Sequence, residues 1–163
     1  MNILFVCHAN TSRSIMAETL LRHMFEARGL NHRFHVDSAG VAAYARDGAL
    51  VSLDTRFALR DHGIHVGEEM RSTDLKRNLH LLQDADLVLA MTEEQKAIVE
   101  RMPQAAAKRV YTLKEYAGDA GDIADPATKD GSVFDETCRL IKSCLEKAIP
   151  RMIEDGGRPT PSG

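Results

Sequence analysis

The chain has 163 residues, the length of one domain, and a domain of this size buries roughly 70% of the surface its unfolded form exposes. Apolar residues make up 44% and charged residues 28%, which excludes long disordered, collagen-like and coiled-coil chains. The net charge of −3 argues against a nucleic-acid partner. No apolar stretch approaches the roughly 20 residues that cross a bilayer, and the N-terminus lacks a signal-peptide pattern. We expect a single domain over 1–155, a flexible tail over 156–163, no membrane partner and a cytoplasmic location.

Short apolar runs alternate with helical spacings along the chain. Such runs are typical of strands buried on both faces of a parallel sheet. The order predicts an α/β fold, a Rossmann-like three-layer sandwich with a central four-stranded parallel sheet and helices on both faces. The predicted elements, in chain order, are a strand at 3–6, a helix at 14–28, a strand at 34–36, helices at 52–62 and 75–82, a strand at 86–91, a helix at 92–102, a strand at 110–113 and a helix from about 132 to 150 or slightly beyond.

Some predicted elements carry more specific expectations. A loop over 37–40 is predicted to follow the second strand. Leu53, Phe57 and Ala58 share one face of the 52–62 helix, and we expect that face to be buried. The polar stretch 115–131 is too long for an ordinary connection, which favours a functional loop.

Cys7 and Arg13 stand at the two ends of a seven-residue loop between the first strand and helix. The amides of the residues between them can converge on phosphate oxygens, and Arg13 adds a planar pair of donors. These groups stabilise negative charge on the Cys7 sulfur, to which Ser14 can also donate a hydrogen bond. Cys-x5-Arg alone is a weak motif, because two fixed residues recur by chance. The predicted phosphate-binding residues are His8, Ala9, Asn10, Thr11, Ser12 and Arg13.

Several segments, in order, resemble the low-molecular-weight protein tyrosine phosphatase family over about residues 1–150. They are 4–7, Asn10, Arg13 with Ser14, 16–18, 37–40, 86–91 and Asp125 with Pro126. The resemblance implies that Cys7 is a nucleophile forming a cysteinyl-phosphate and that Arg13 clamps the phosphate. It also implies that Asp125 protonates the leaving group and later activates water, while Asn10 and Ser38, together with Ser14, support the loop. The implied partner is a phosphorylated protein or peptide, with inorganic phosphate as product and no cofactor or metal.

Departures from the family pattern leave the substrate open between phosphotyrosine and phosphoarginine. Thr11 stands where tyrosine-directed members usually have an aliphatic residue and where the bacterial protein arginine phosphatase branch has threonine. Tyr44 stands at an aromatic pocket wall of tyrosine phosphatases, whereas Ala127 replaces the aromatic that follows Asp-Pro in both branches. Thr11, Tyr44 and Ala127 form the predicted substrate pocket. Ser12 replaces a cysteine that protects the nucleophile in many members, and Ala9 replaces a glycine, so its backbone must accommodate a Cβ.

Two other functions fit a phosphate-binding loop. A thioredoxin-coupled arsenate reductase needs two further cysteines to relay a disulfide, and only Cys138 and Cys144 are available. Both lie on the last predicted helix, beside its apolar face, where a free cysteine is typically a small buried apolar residue. A non-catalytic phosphate-binding module would not need a thiol, an arginine and an Asp-Pro segment together.

Overall fold

Four parallel strands form the centre of the computed structural model, which describes residues 1–157. The strands are β1 (Asn2–Cys7), β2 (His35–Gly40), β3 (Leu87–Ala90) and β4 (Arg109–Thr112). Their order across the sheet is β2-β1-β3-β4, and every neighbouring pair is parallel. The prediction of a four-stranded parallel sheet is therefore confirmed.

Helices cover both faces of this sheet. Alternate residues of β1 point to opposite sides, so Ile3 and Phe5 pack in one apolar cluster while Leu4 and Val6 pack in the other. The helices are α1 (Arg13–Ala27), α2 (Leu53–Arg60), α3 (His80–Asp84), α4 (Glu93–Glu100), α5 (Leu113–Tyr116) and α6 (Gly131–Gly156). The first cluster lies beneath α1, α2, α5 and α6, and the second lies beneath α3 and α4.

The predicted loop over 37–40 is wrong, because these residues complete β2. They pair in register with 4–7 of β1, so backbone pairing overrides their polar and small side chains. Gly40 ends the strand against the loop that follows β1. A Cβ at Gly40 would lie 2.6 Å from the His8 carbonyl oxygen, so this close approach requires glycine.

The buried face predicted for α2 is also partly wrong. Leu53 and Phe57 are 61% and 44% exposed, whereas Thr55, Ala58 and Leu59 are buried. Packing of α2 against α6 determines which side of this eight-residue helix faces the core. The predicted 75–82 helix divides into a 3₁₀ turn at Leu75–Arg77 and the short helix α3.

The last helix continues past Pro150. Pro150 lies inside α6, and the helix continues to Gly156 with Met152 buried. Burial of that additional turn outweighs the loss of the hydrogen bond that proline cannot donate. Gly156 ends the helix and Gly157 follows it in a turn, while 158–163 of the predicted tail lie outside the described residues. The domain boundary at 156 stays a prediction. Within residues 1–157, no helix combines the length and apolar character that crossing a membrane requires.

Candidate active site

The loop from Cys7 to Arg13 joins the end of β1 to the start of α1, and is here called the Cys7–Arg13 loop. Ser12 stands at the N-cap of the 15-residue helix, but its side chain does not cap it. The first amides of α1 therefore have no side-chain acceptor, and the positive end of the helix dipole favours an anion. The Ser12 hydroxyl instead lies 3.3 Å from the Ser52 hydroxyl.

Asn10 shapes this loop by adopting a left-handed backbone conformation, with φ of +62°. Asparagine tolerates this region better than most residues. Its Nδ2 donates to Ser14 Oγ at 2.7 Å and to Ser38 Oγ at 2.9 Å, and its Oδ1 accepts from the Thr73 amide at 2.8 Å. The loop is thus held from three directions. The Ala9 backbone lies outside the left-handed region, so its Cβ is accommodated.

The Cys7 sulfur receives two polar contacts. Ser14 Oγ lies 2.9 Å from Cys7 Sγ, and the Asn10 amide donates to the same sulfur at 3.3 Å. Because Ser14 Oγ accepts from Asn10 Nδ2, the serine keeps its own hydrogen for the sulfur. Both contacts stabilise negative charge on Cys7.

A buried carboxyl group extends this network to α1. Ser38 Oγ donates to Glu18 Oε1 at 2.6 Å, and Glu18 Oε2 lies 3.0 Å from Nη1 of Arg22. Burial raises the pKa of Glu18 above its ordinary 4.5, although Arg22 and the Ser38 hydrogen bond act in the opposite direction. The sequence analysis assigned no role to Glu18 or Arg22. The available signal is an acidic residue on the apolar face of a helix, four positions before an arginine.

Arg13 is buried, with 3% of its surface exposed, and it faces the candidate general acid. Its Nη1 donates to the Ile123 carbonyl at 2.8 Å, and its Nη2 lies 3.6 Å from Asp125 Oδ2. The buried Ile123 in turn donates its amide to the Met91 carbonyl at the end of β3. A buried guanidinium with unused donors is costly without an anion, so this position favours phosphate.

A pocket of about 150 Å³ opens beside the Cys7 sulfur. Thr11, Tyr44 and Ala127, the predicted substrate-pocket residues, all line it, and Asp125 contributes to the same wall. Its full lining is Cys7, Ala9, Thr11, Ser12, Arg13, Tyr44, Asp125 and Ala127.

Other predicted residues lie behind or beside this pocket. Asn10, Ser14 and Ser38 form the supporting network and do not line the wall. The His8 side chain points toward Glu94, at 3.9 Å, and its ring centre lies 6.5 Å from that of Tyr44. His8, a predicted phosphate-binding residue, is not among the residues that line the pocket.

The remaining thiols do not line the pocket. Cys138 and Cys144 are buried on α6 as free cysteines, and burial raises the pKa of both, for Cys138 to about 11. Cys7 is the one cysteine among the lining residues. Within residues 1–157, no three histidine, cysteine or acidic side chains converge in a way that could hold a metal ion.

A thiol hydrogen-bonded by Ser14 at the start of a helix, facing a buried arginine and a carboxylate, defines a cysteine-dependent phosphatase site. The comparisons assign the family. The sequence model described as "Low molecular weight phosphotyrosine protein phosphatase" matches residues 2–156. The chain belongs to this family of phosphoric monoester hydrolases.

Similar proteins include members named for either substrate. A protein-arginine-phosphatase of Bacillus subtilis is 33% identical over 95% of this chain and 99% of its own, and one of Geobacillus stearothermophilus is 40% identical over 93% of each. The low molecular weight protein-tyrosine-phosphatase PtpB of Staphylococcus aureus is 31% identical over 86% of this chain and 94% of its own.

Among solved structures, YwlE arginine phosphatase, as a mutant with a phosphorylated active-site serine, superposes with a TM-score of 0.84 at 33% identity. The match covers 95% of this chain and 97% of that one. These findings support the arginine phosphatase branch of the family and do not favour an arsenate reductase.

Proposed function

We propose that this phosphatase removes phosphate from phosphoarginine residues of proteins, with Cys7 as nucleophile, Arg13 as phosphate clamp and Asp125 as acid and base. The observation that carries the proposal is the shared pocket. Cys7, Arg13, Asp125 and Thr11 all line it.

The reaction proceeds in two displacements. The Cys7 thiolate attacks phosphorus, the phosphorus–nitrogen bond breaks, and Asp125 gives its proton to the leaving guanidine nitrogen. The Asp125 carboxylate then takes a proton from water, whose oxygen attacks phosphorus. The sulfur–phosphorus bond breaks and releases inorganic phosphate, while the Ser14 hydroxyl stabilises the departing Cys7 thiolate.

The hydrogen-bonding groups of the wall favour a guanidinium over a phenyl ring. The Thr11 hydroxyl makes no hydrogen bond with any residue in the described part of the chain, so it can accept from a substrate N–H. Asp125 Oδ2 is a second acceptor on the same wall. A phenyl ring offers neither group a donor. Tyr44, 68% exposed, can stack on a planar guanidinium as well as on a ring.

The test compares peptides of one sequence that carry phosphoarginine or phosphotyrosine. We expect the wild-type kcat/KM to favour phosphoarginine, and Thr11→Ile to lower it by about tenfold to a hundredfold, the cost of losing a hydrogen bond to a charged group. Release of phosphate from the phosphotyrosine peptide is the internal control, because Thr11→Ile removes nothing that a phenyl ring uses.

A contrary result would assign a different substrate. Tyr44 at the mouth also suits phosphotyrosine, the second candidate substrate, and the Staphylococcus aureus relative is named for that activity. A wild-type preference for phosphotyrosine that Thr11→Ile does not change would contradict the arginine proposal while leaving the Cys7 chemistry intact.

We also place the enzyme in a reducing compartment, the cytoplasm. Three free thiols, one of them the proposed nucleophile, support this location. Ser12 stands where a protecting cysteine would be, so Cys7 depends on its surroundings to stay reduced.

A further inference from the structure

An exposed apolar surface lies beside the mouth of the pocket. Leu50, Leu53 and Phe57, here called the α2 patch, are 55%, 61% and 44% exposed. Leu53 and Phe57 are four positions apart on α2 and therefore lie on the same side of the helix. In the described part of the chain, only Tyr44 and Leu140 are other large apolar side chains with comparable exposure.

The α2 patch is continuous with the Cys7–Arg13 loop. The Ser52 amide donates to the Thr11 carbonyl at 3.1 Å, and Ser52 is both the N-cap of α2 and the neighbour of Leu53. The Ser12 and Ser52 hydroxyls form a second contact, at 3.3 Å. One end of α2 is thus fixed directly to the wall of the pocket.

A protein substrate must extend beyond this pocket. A volume of about 150 Å³ holds a phosphorylated side chain, so the rest of the polypeptide lies outside the mouth. An extended chain advances about 3.3 Å per residue, so the second and third residues from the phosphorylated one reach about 7–10 Å away. Leu53 is one residue beyond the contact between Ser52 and Thr11, which lines the pocket, so the α2 patch begins next to the pocket wall.

We propose that the α2 patch binds an apolar side chain of the substrate polypeptide, two or three residues from the phosphorylated residue. The proposal deepens the proposed function by adding a sequence preference to the same site. Phe57 and Leu53 provide the apolar contact, and Arg60 above the Phe57 ring, 5.0 Å from its centre, borders it with positive charge. A partly buried aliphatic side chain is expected to improve kcat/KM by about fivefold to tenfold.

The experiment uses pairs of phosphoarginine peptides that differ only in leucine or serine at one flanking position, scanned on both sides. One variant carries both Leu53→Ser and Phe57→Ser. The control variant carries Leu140→Ser, which changes an exposed leucine on α6 outside the α2 patch. The wild type and the control should have a higher kcat/KM for the leucine peptide than for the serine peptide. The double variant should have the same kcat/KM for both peptides. Hydrolysis of p-nitrophenyl phosphate, which has no flanking residues, should be unchanged in all three.

Three results would overturn the proposal: no leucine preference in the wild type, a preference that the double variant keeps, or an equal loss in Leu140→Ser. Sedimentation, which measures the oligomeric state, tests whether a second copy of the chain binds the α2 patch in place of the substrate. A wild-type dimer that the double variant dissociates, with the leucine preference intact, would assign the patch to that copy. If phosphoarginine were the wrong substrate, the enzyme would still hydrolyse p-nitrophenyl phosphate, and the leucine and serine pairs would be repeated with phosphotyrosine peptides. Failure of the phosphoarginine proposal is therefore distinguishable from failure of the α2-patch proposal.

Discussion

At the scale of single residues, Asn10 links the proposed nucleophile to the body of the protein. Its side chain joins Ser14, Ser38 and the Thr73 backbone, and its amide contacts the Cys7 sulfur. A network whose members are all satisfied fixes one geometry more strongly than separate pairs would. The loop is therefore organised before phosphate arrives, which lowers the reorganisation needed during reaction.

Glu18 anchors the other end of that network, and its raised pKa leads to a testable dependence on pH. The folded protein holds the Glu18 proton more tightly than the unfolded chain, so stability from this group is complete below about pH 4.5 and is lost as the pH rises through the raised value. Glu18→Gln cannot ionise. We predict that the free energy of unfolding of Glu18→Gln increases relative to wild type between pH 4.5 and pH 8, measured by urea denaturation.

The matched control is Glu26→Gln, an exposed position on the same helix. It should follow the wild type at every pH, since no buried carboxyl is removed. A Glu18→Gln curve parallel to wild type over this range would show that ionisation of Glu18 does not oppose folding. Activity should survive in Glu18→Gln, because the amide oxygen still accepts from Ser38.

Sequence reasoning predicted the residues proposed for the chemistry, but it did not find all of the residues that support them. Cys7, Arg13 and Asp125 belong to recognisable local patterns, and the structure brings all three to one pocket. Glu18 has a local signal, its spacing from Arg22, but that signal does not reveal its contact with Ser38. The Thr73 backbone contacts Asn10, which is distant along the chain, and no local pattern encodes that contact.

At the scale of elements, the segment that carries Asp125 is positioned by a buried anchor. Ile123 is fully buried. Its amide donates a hydrogen bond to the Met91 carbonyl, and its carbonyl accepts one from Arg13 Nη1. Asp125 Oδ1 also accepts from the Ala127 amide at 3.0 Å, which fixes the local turn. A loop tied at Ile123 can hold Asp125 opposite Arg13 while remaining open to solvent.

We predict that Ile123→Ala lowers kcat by about tenfold to a hundredfold, because a loosened anchor misplaces Asp125. The cavity should also cost about 2–5 kcal/mol of stability. Ile149→Ala is the control, since Ile149 is equally buried but lies on α6. Kinetics at a temperature where both variants are folded should show the large kcat loss only in Ile123→Ala. Equal losses in both variants would mean that Ile123 has only a general packing role.

Element boundaries show where local patterns lose their predictive value. Leu53 and Phe57 share a predicted helical face with Ala58, but packing against α6 buries Thr55, Ala58 and Leu59 and leaves Leu53 and Phe57 exposed. The 37–40 segment has no apolar run, yet pairing with β1 makes it a strand. In both cases a partner element decides the outcome, and that partner is not visible in a local window.

At the scale of the whole molecule, the slight negative charge is compatible with an anionic substrate. The Cys7–Arg13 loop, the start of α1 and one buried arginine hold the phosphate locally, so a basic surface is not required. The sheet places β1, β2 and β3 in parallel, and their carboxyl ends lead to the Cys7–Arg13 loop, Val41 and Met91 respectively. The site thus lies where open α/β sheets usually bind ligands.

The central claim is that the phosphoryl group passes to the Cys7 sulfur. The most direct measurement is acid-quenched mass spectrometry of Asp125→Asn during turnover of an aryl phosphate, whose good leaving group lets the intermediate form while its hydrolysis is slow. We predict one phosphate on the peptide that contains Cys7, and none when Cys7→Ala is added. Phosphate on another residue, or continued turnover by Cys7→Ala, would contradict the account.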